Sequence, residues 1–169
     1  MKPASSSIKP SVREISILSF LAALMLALQL AASGLPNIHF TAVLMILTAI
    51  FFSWKSLYAI FVFIMLEGLV WGFGLWWFCY WYLWPLLVIP AILMRNCREA
   101  FVWALIAAAH GLVFGALYAL PYYFVGGWHM VLAKWISGIP FDIAHCAGNF
   151  ILTLLLFKPL YSAFEKALK

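Results

Sequence analysis

The residues able to do chemistry in this chain are few, and they sit where polar groups are costly. Glu67 lies inside L-E-G-L-V-W-G-F-G-L-W-W-F-C-Y-W-Y-L-W-P (66–85), a run otherwise apolar that holds five of the nine tryptophans. Asp142, His145 and Asn149 occur at i, i+3 and i+7 within G-I-P-F-D-I-A-H-C-A-G-N-F (138–150), so a helix there sets them on one face. Asn37 and His39 stand in L-P-N-I-H (35–39), while Gln29 and His110 lie deeper in apolar stretches. A carboxyl group at membrane depth is a functional candidate by default. Carboxyl, amide and imidazole groups converging among aromatic rings would make a small-molecule pocket, apolar in body with a few orienting hydrogen bonds. The expected pocket comprises Asn37, His39, Glu67, Trp71, Phe73, Trp76, Trp77, Tyr80, Asp142, His145 and Asn149.

Each of these residues also has a plainer role open to it. Asp142 could cap the helix it begins, and Glu67 could be a neutral acid bonded to nearby backbone. The histidines could bridge helices, and rim tryptophans could be interface anchors. Five tryptophans between Trp71 and Trp84 exceed what anchoring requires. Enzyme signatures are missing: the chain has no HExxH, no G-x-S-x-G and no P-loop. His145 and Cys146 are neighbours and point apart on a helix, so they are no catalytic pair. Neither a metal nor a cofactor is expected, and any ATP-driven work must be done by other subunits.

Composition identifies the solvent around these groups. Of 169 residues, 67% are hydrophobic and 9% charged, against about 25% charged in a soluble domain. One integral membrane domain is expected. The net charge of +5 comes from basic residues spread singly at segment ends, which speaks for membrane topology and against a nucleic-acid surface. Cys79, Cys97 and Cys146 have no CxxC spacing and are odd in number, which argues against a disulfide framework. The opening M-K-P-A-S-S-S-I-K-P-S-V-R-E is too long and mixed for a signal n-region, so the first apolar run reads as a retained span.

An all-α polytopic bundle of six transmembrane helices over 14–164 is therefore expected, after a cytoplasmic segment 1–13. The helices are placed at Glu14 to Ser33, Ile38 to Trp54, Leu57 to Trp71, Trp76 to Met94, Ala100 to Leu120 and Gly138 to Leu156. Pro85 and Pro90 predict kinks or a break in the fourth. The aromatic stretch 121–137 reads as a long extracellular loop, of the kind that often forms a lid. Six spans place Lys2, Lys9, Arg13, Lys55, Arg95, Arg98, Lys158, Lys166 and Lys169 on the side of both termini, with Lys134 opposite. By the positive-inside rule the termini are cytoplasmic. In helix 1, Ala23, Ala27 and Ala31 form a small-residue stripe that permits close approach by another helix, inside the protein or on a partner.

The six short spans, the A-x-x-x-A of helix 1, L-P-N-I-H, L-E-G-L-V-W-G-F-G-L-W-W and G-I-P-F-D-I-A-H-C-A-G-N-F together resemble the substrate-binding S components of energy-coupling factor (ECF) transporters. The likeness covers essentially the whole chain and points to a subgroup found in Gram-positive bacteria. It implies a non-catalytic, multi-pass subunit of the plasma membrane. Such a subunit captures a vitamin outside, docks on a transmembrane coupling subunit driven by two cytoplasmic ATPases, and topples to deliver its cargo. It also implies that Ala23, Ala27 and Ala31 form the docking surface. Cobalamin is the first expectation for the substrate, with no cobalt ligand required from His39 or His145. Pantothenate, a pyridine or pyrimidine vitamin and a queuosine precursor are the others, and paired acids favour a cationic or hydroxyl-rich ligand over an anion. The reading from another class is a self-sufficient ion-coupled carrier using Glu67 and Asp142, or a small intramembrane enzyme.

Overall fold

The computed structural model describes residues 9–34 and 40–168, and every regular element among them is helical. Asn37, His39 and most of the 1–13 segment lie outside the described residues. The helices are α1 (Val12–Ala31), α2 (Thr41–Phe52), α3 (Ser56–Trp71), α4 (Leu75–Leu93), α5 (Ala100–Ala119) and α6 (Tyr123–Ala167), with single 3₁₀ turns at Ser53–Lys55 and Leu120–Tyr122. Taken across those turns they form four helical stretches long and apolar enough to cross a bilayer: Val12–Ala31, Thr41–Trp71, Leu75–Leu93 and Ala100–Ala167.

Local chemistry sets the helix ends. α1 begins before its expected start because Ser11 Oγ accepts the Glu14 amide at 3.3 Å, while the Glu14 carboxylate accepts the Ser11 amide at 2.7 Å. Glu14 also pairs with Lys55 Nζ at 2.7 Å, tying the start of α1 to the α2–α3 junction. α2 buries every residue but Phe51. A helix that is apolar all round must be surrounded by protein, and α2 is the core of the bundle. α4 passes Pro85 and Pro90 without interruption, so the expected break does not occur. It packs against α2, α3 and α5, the kind of cover that lets a proline-containing membrane helix stay intact.

Contacts fix the direction of each helix. Glu14–Lys55 at one end and Gln29–Glu67 at the other make α1 and α3 parallel. Trp77 with Ile64 and Trp81 with Phe61 set α4 antiparallel to α3. Leu83 with His110 and Cys79 with Tyr118 set α5 antiparallel to α4. Arg98 lies over the Tyr161 ring at 5.7 Å, and Tyr161 meets Phe51 at 4.9 Å. The end of α2, the α4–α5 turn and the last turns of α6 are thus gathered together.

α5 and α6 form a long antiparallel hairpin, and two glycines close it. A Cβ on Gly111 would lie 2.8–2.9 Å from the backbone of His145 and Cys146, and one on Gly115 would overlap the Asp142 carboxyl. Small residues at this spacing let membrane helices touch backbone to backbone. The stretch 121–137, expected as a loop, is helical apart from one break. Lys134 Nζ sits 5.3 Å over the Tyr122 ring and Tyr123 meets Trp128 at 5.2 Å. The α5 arm therefore continues to 125, the chain reverses at Gly126–Gly127, and the descending arm starts well ahead of Gly138. Gly127 has φ 65°, a conformation that costs glycine nothing sterically. The aromatic composition of this stretch belongs to the outer face of a hairpin, whose backbone groups are satisfied within the helix.

Candidate functional site

Glu67 lies one turn before the end of α3 and is 1% exposed. Gln29 of α1 donates from Nε2 to Glu67 Oε2 at 3.1 Å, and Thr41 of α2 donates from Oγ1 to Gln29 Oε1 at 3.2 Å. With its oxygen engaged by Thr41, the Gln29 amide turns its NH₂ toward the carboxyl. Glu67 Oε1 is buried and has no hydrogen-bond partner among the described residues. Beside it lies a cavity of about 300 Å³ lined by Gln29, Ser33, Glu67, Trp71, Trp76 and Tyr80. Trp76 and Tyr80 occupy successive turns of α4, with ring centroids 5.2 Å apart and planes at 80°. Trp71 is 55% exposed at the mouth. Gln29 is roughly 22 Å along α1 from Glu14 at about 1.5 Å per residue, so this cavity occupies the end opposite the Glu14–Lys55 pair.

A second polar region lies within the hairpin. Asp142, His145, Asn149 and Thr153 are all buried along one face of α6. Gly115 donates its backbone N–H to Asp142 Oδ1 at 2.9 Å, and Asn149 Nδ2 donates to the Ala107 carbonyl at 3.1 Å. His145 packs edge-on to Phe114 at 5.0 Å and near His110 at 6.4 Å. His110 in turn donates to the Leu83 carbonyl at 2.9 Å. Asp142 also lines a cavity of about 260 Å³ with Phe114, Gly115, Tyr118, Lys134, Ser137, Gly138 and Phe141.

Among the described residues, those of the expected pocket that line a cavity fall into two, with no lining residue in common. Glu67 and Asp142 share neither of these two: Tyr80 lines the first, Phe114 lines the second, and their rings meet at 6.3 Å with Trp84 against both. Trp71, Trp76 and Tyr80 fall in the Glu67 cavity. Trp77 does not: its indole N–H is spent on the Ile64 carbonyl at 2.9 Å, and Phe73 packs on its edge at 5.1 Å. His145 and Asn149 line neither cavity and join α5 to α6 instead. Among the described residues no three His, Cys, Asp or Glu side chains converge as a metal site would need.

Ala23, Ala27 and Ala31 are exposed, while Leu18, Leu21, Ala22 and Met25 form the inward face of α1. Among the described residues the stripe therefore lies on the outer side of α1 and is not buried against another helix. An apolar groove of about 480 Å³ lies between α1 and the end of α6, lined by Ile17, Phe20, Leu24, Leu160 and Phe164 among others. Its near-total lack of orienting polar groups makes it a poor ligand site despite its size. Sequence reasoning left Gln29 unassigned and did not single out Ser33, Thr41 or the Gly111–Gly115 pair. The glycine spacing was a readable signal of close helix packing, and a lone glutamine near a helix end was a weaker signal of a partner acid. No known protein family, curated protein or solved structure matches the chain, so the site is read from its own residues.

Proposed function

We propose that this chain is a substrate-binding membrane subunit, an S component of an ECF-type importer in a bacterial plasma membrane, with no catalysis of its own. In this reading the helices cross six times. The turns at Ser53–Lys55 and Gly126–Gly127 reach the membrane surfaces, and both termini are cytoplasmic beside Arg13, Lys55, Arg95, Arg98, Lys158 and Lys166. The shortness of α2 is no obstacle, since it is enclosed by protein and need not match the bilayer. A ligand from outside enters the Glu67 cavity. The exposed face bearing Ala23, Ala27 and Ala31 docks on a coupling subunit powered by two ATPases.

The observation that carries this reading is that α1 serves both ends of the task. Its inner side brings Gln29 to the carboxyl of Glu67, and its outer side presents three alanines to whatever lies beyond. A cavity of about 300 Å³ among the described residues is at the small end of ligand pockets, which favours a single-ring vitamin or precursor over cobalamin. The test is uptake into vesicles holding the chain with or without a coupling module, using the small molecule that mass spectrometry finds co-purifying with it. Uptake should need both the module and ATP. Ala27→Trp should bind as before yet fail to import. Uptake without partners that an uncoupler abolishes would instead support an ion-coupled carrier built on Glu67 and Asp142.

A further inference from the structure

We propose that the Glu67 cavity selects an organic cation, of the quaternary ammonium or N-alkylated heteroaromatic class. This deepens the reading of that cavity as the ligand site and rests on it. Trp71, Trp76 and Tyr80 make up half of the described lining, and the Trp76 and Tyr80 rings stand nearly perpendicular with centroids 5.2 Å apart. Indole and phenol rings carry a negative face that draws in a cation, most strongly where water is excluded. Behind them the Glu67 carboxyl is 1% exposed, with one oxygen held by Gln29 and the other without a partner among the described residues.

The lining also lacks something. None of its described residues is basic, whereas the Asp142 cavity carries Lys134 on its wall. A buried carboxylate needs compensation, and since none of the described lining residues supplies positive charge, a cationic ligand would provide it. A quaternary centre has no N–H to satisfy, which suits a site offering rings, one carboxyl and one amide. The same groups disfavour an anion, because none of the described lining residues is a cation to receive it.

The experiment titrates the full chain in lipid nanodiscs with choline, and separately with its neutral isostere in which tert-butyl replaces the trimethylammonium, following tryptophan fluorescence. Choline should bind at least about tenfold tighter than the isostere. Glu67→Gln and Trp76→Leu should each remove most of that preference. Equal binding of the two probes, or no saturable choline binding up to about 10 mM, overturns the proposal, and so does an undiminished preference in both variants. The probe comparison uses the unaltered chain, so a variant that misfolds does not blunt it. Choline selectivity without module-dependent uptake would sink the importer and leave the cation site standing. Module-dependent uptake of a neutral vitamin with no choline preference would do the reverse.

Discussion

Glu67 and Asp142 are both buried carboxyl groups in an apolar bundle, yet they are held in different ways. Glu67 is gripped by a side chain, Gln29, itself steadied by Thr41, and its free oxygen stands beside a ring-lined cavity. Asp142 is gripped by backbone, the Gly115 N–H, in a hairpin so close that a methyl group at residue 115 would displace it. One acid also has a lysine on the wall of its cavity, and the other has no basic residue among the described residues lining its own. A carboxyl at membrane depth is not by itself a ligand site. A side-chain partner can rearrange around a guest, while a backbone partner in a closed hairpin mainly holds two helices in register.

The contrast can be broken or sharpened by substitution, and the hairpin should suffer most. Gly111→Leu drives a side chain into the backbone of His145 and Cys146, and should destabilise the protein by about 3 kcal/mol or prevent folding, read as thermal unfolding in detergent. Asp142→Ala removes the bond across the hairpin to the Gly115 N–H, which lies within α5, and should cost about 1 kcal/mol, with binding in the Glu67 cavity unchanged. Altered ligand affinity in a folded Asp142→Ala protein would rejoin the two regions into one site. Gln29→Ala should cost about 1 kcal/mol in stability yet change ligand affinity measurably, since it frees the second oxygen of Glu67. Lys55→Ala removes a partly exposed ion pair at the far end, with an expected loss below about 1 kcal/mol and no effect on binding.

Much of the helical order was legible along the chain. The apolar segments, the turn residues near Lys55, Gly72 and Arg95, and the helical face shared by Asp142, His145 and Asn149 all follow from periodicity and composition. In the stretch 121–137, length between apolar segments predicts a loop where the chain is helical apart from one break. Yet Tyr122, Tyr123, Trp128 and Trp135 are residues that a helical hairpin can turn outward, and only Gly126–Gly127 breaks the backbone. The prolines of α4 leave a kink or a break open, and the helix runs unbroken through both, since a residue type signals a lost N–H but not the neighbours that keep the helix whole.

By itself the sequence determined that the chain is a helical, membrane-type protein with scarce polar groups, because composition and period depend on neighbours along the chain. Tertiary structure alone decided that Gln29, rather than Asp142, meets Glu67, that the alanines of α1 face outward, and that two acids occupy two cavities. Those outcomes depend on helix rotation and on which helices become neighbours. Rotation is set by close packing, here by Gly111 and Gly115 against α6 and by the burial of α2 on every side. In a chain apolar nearly all round, the hydrophobic pattern gives little preference for one rotation over another.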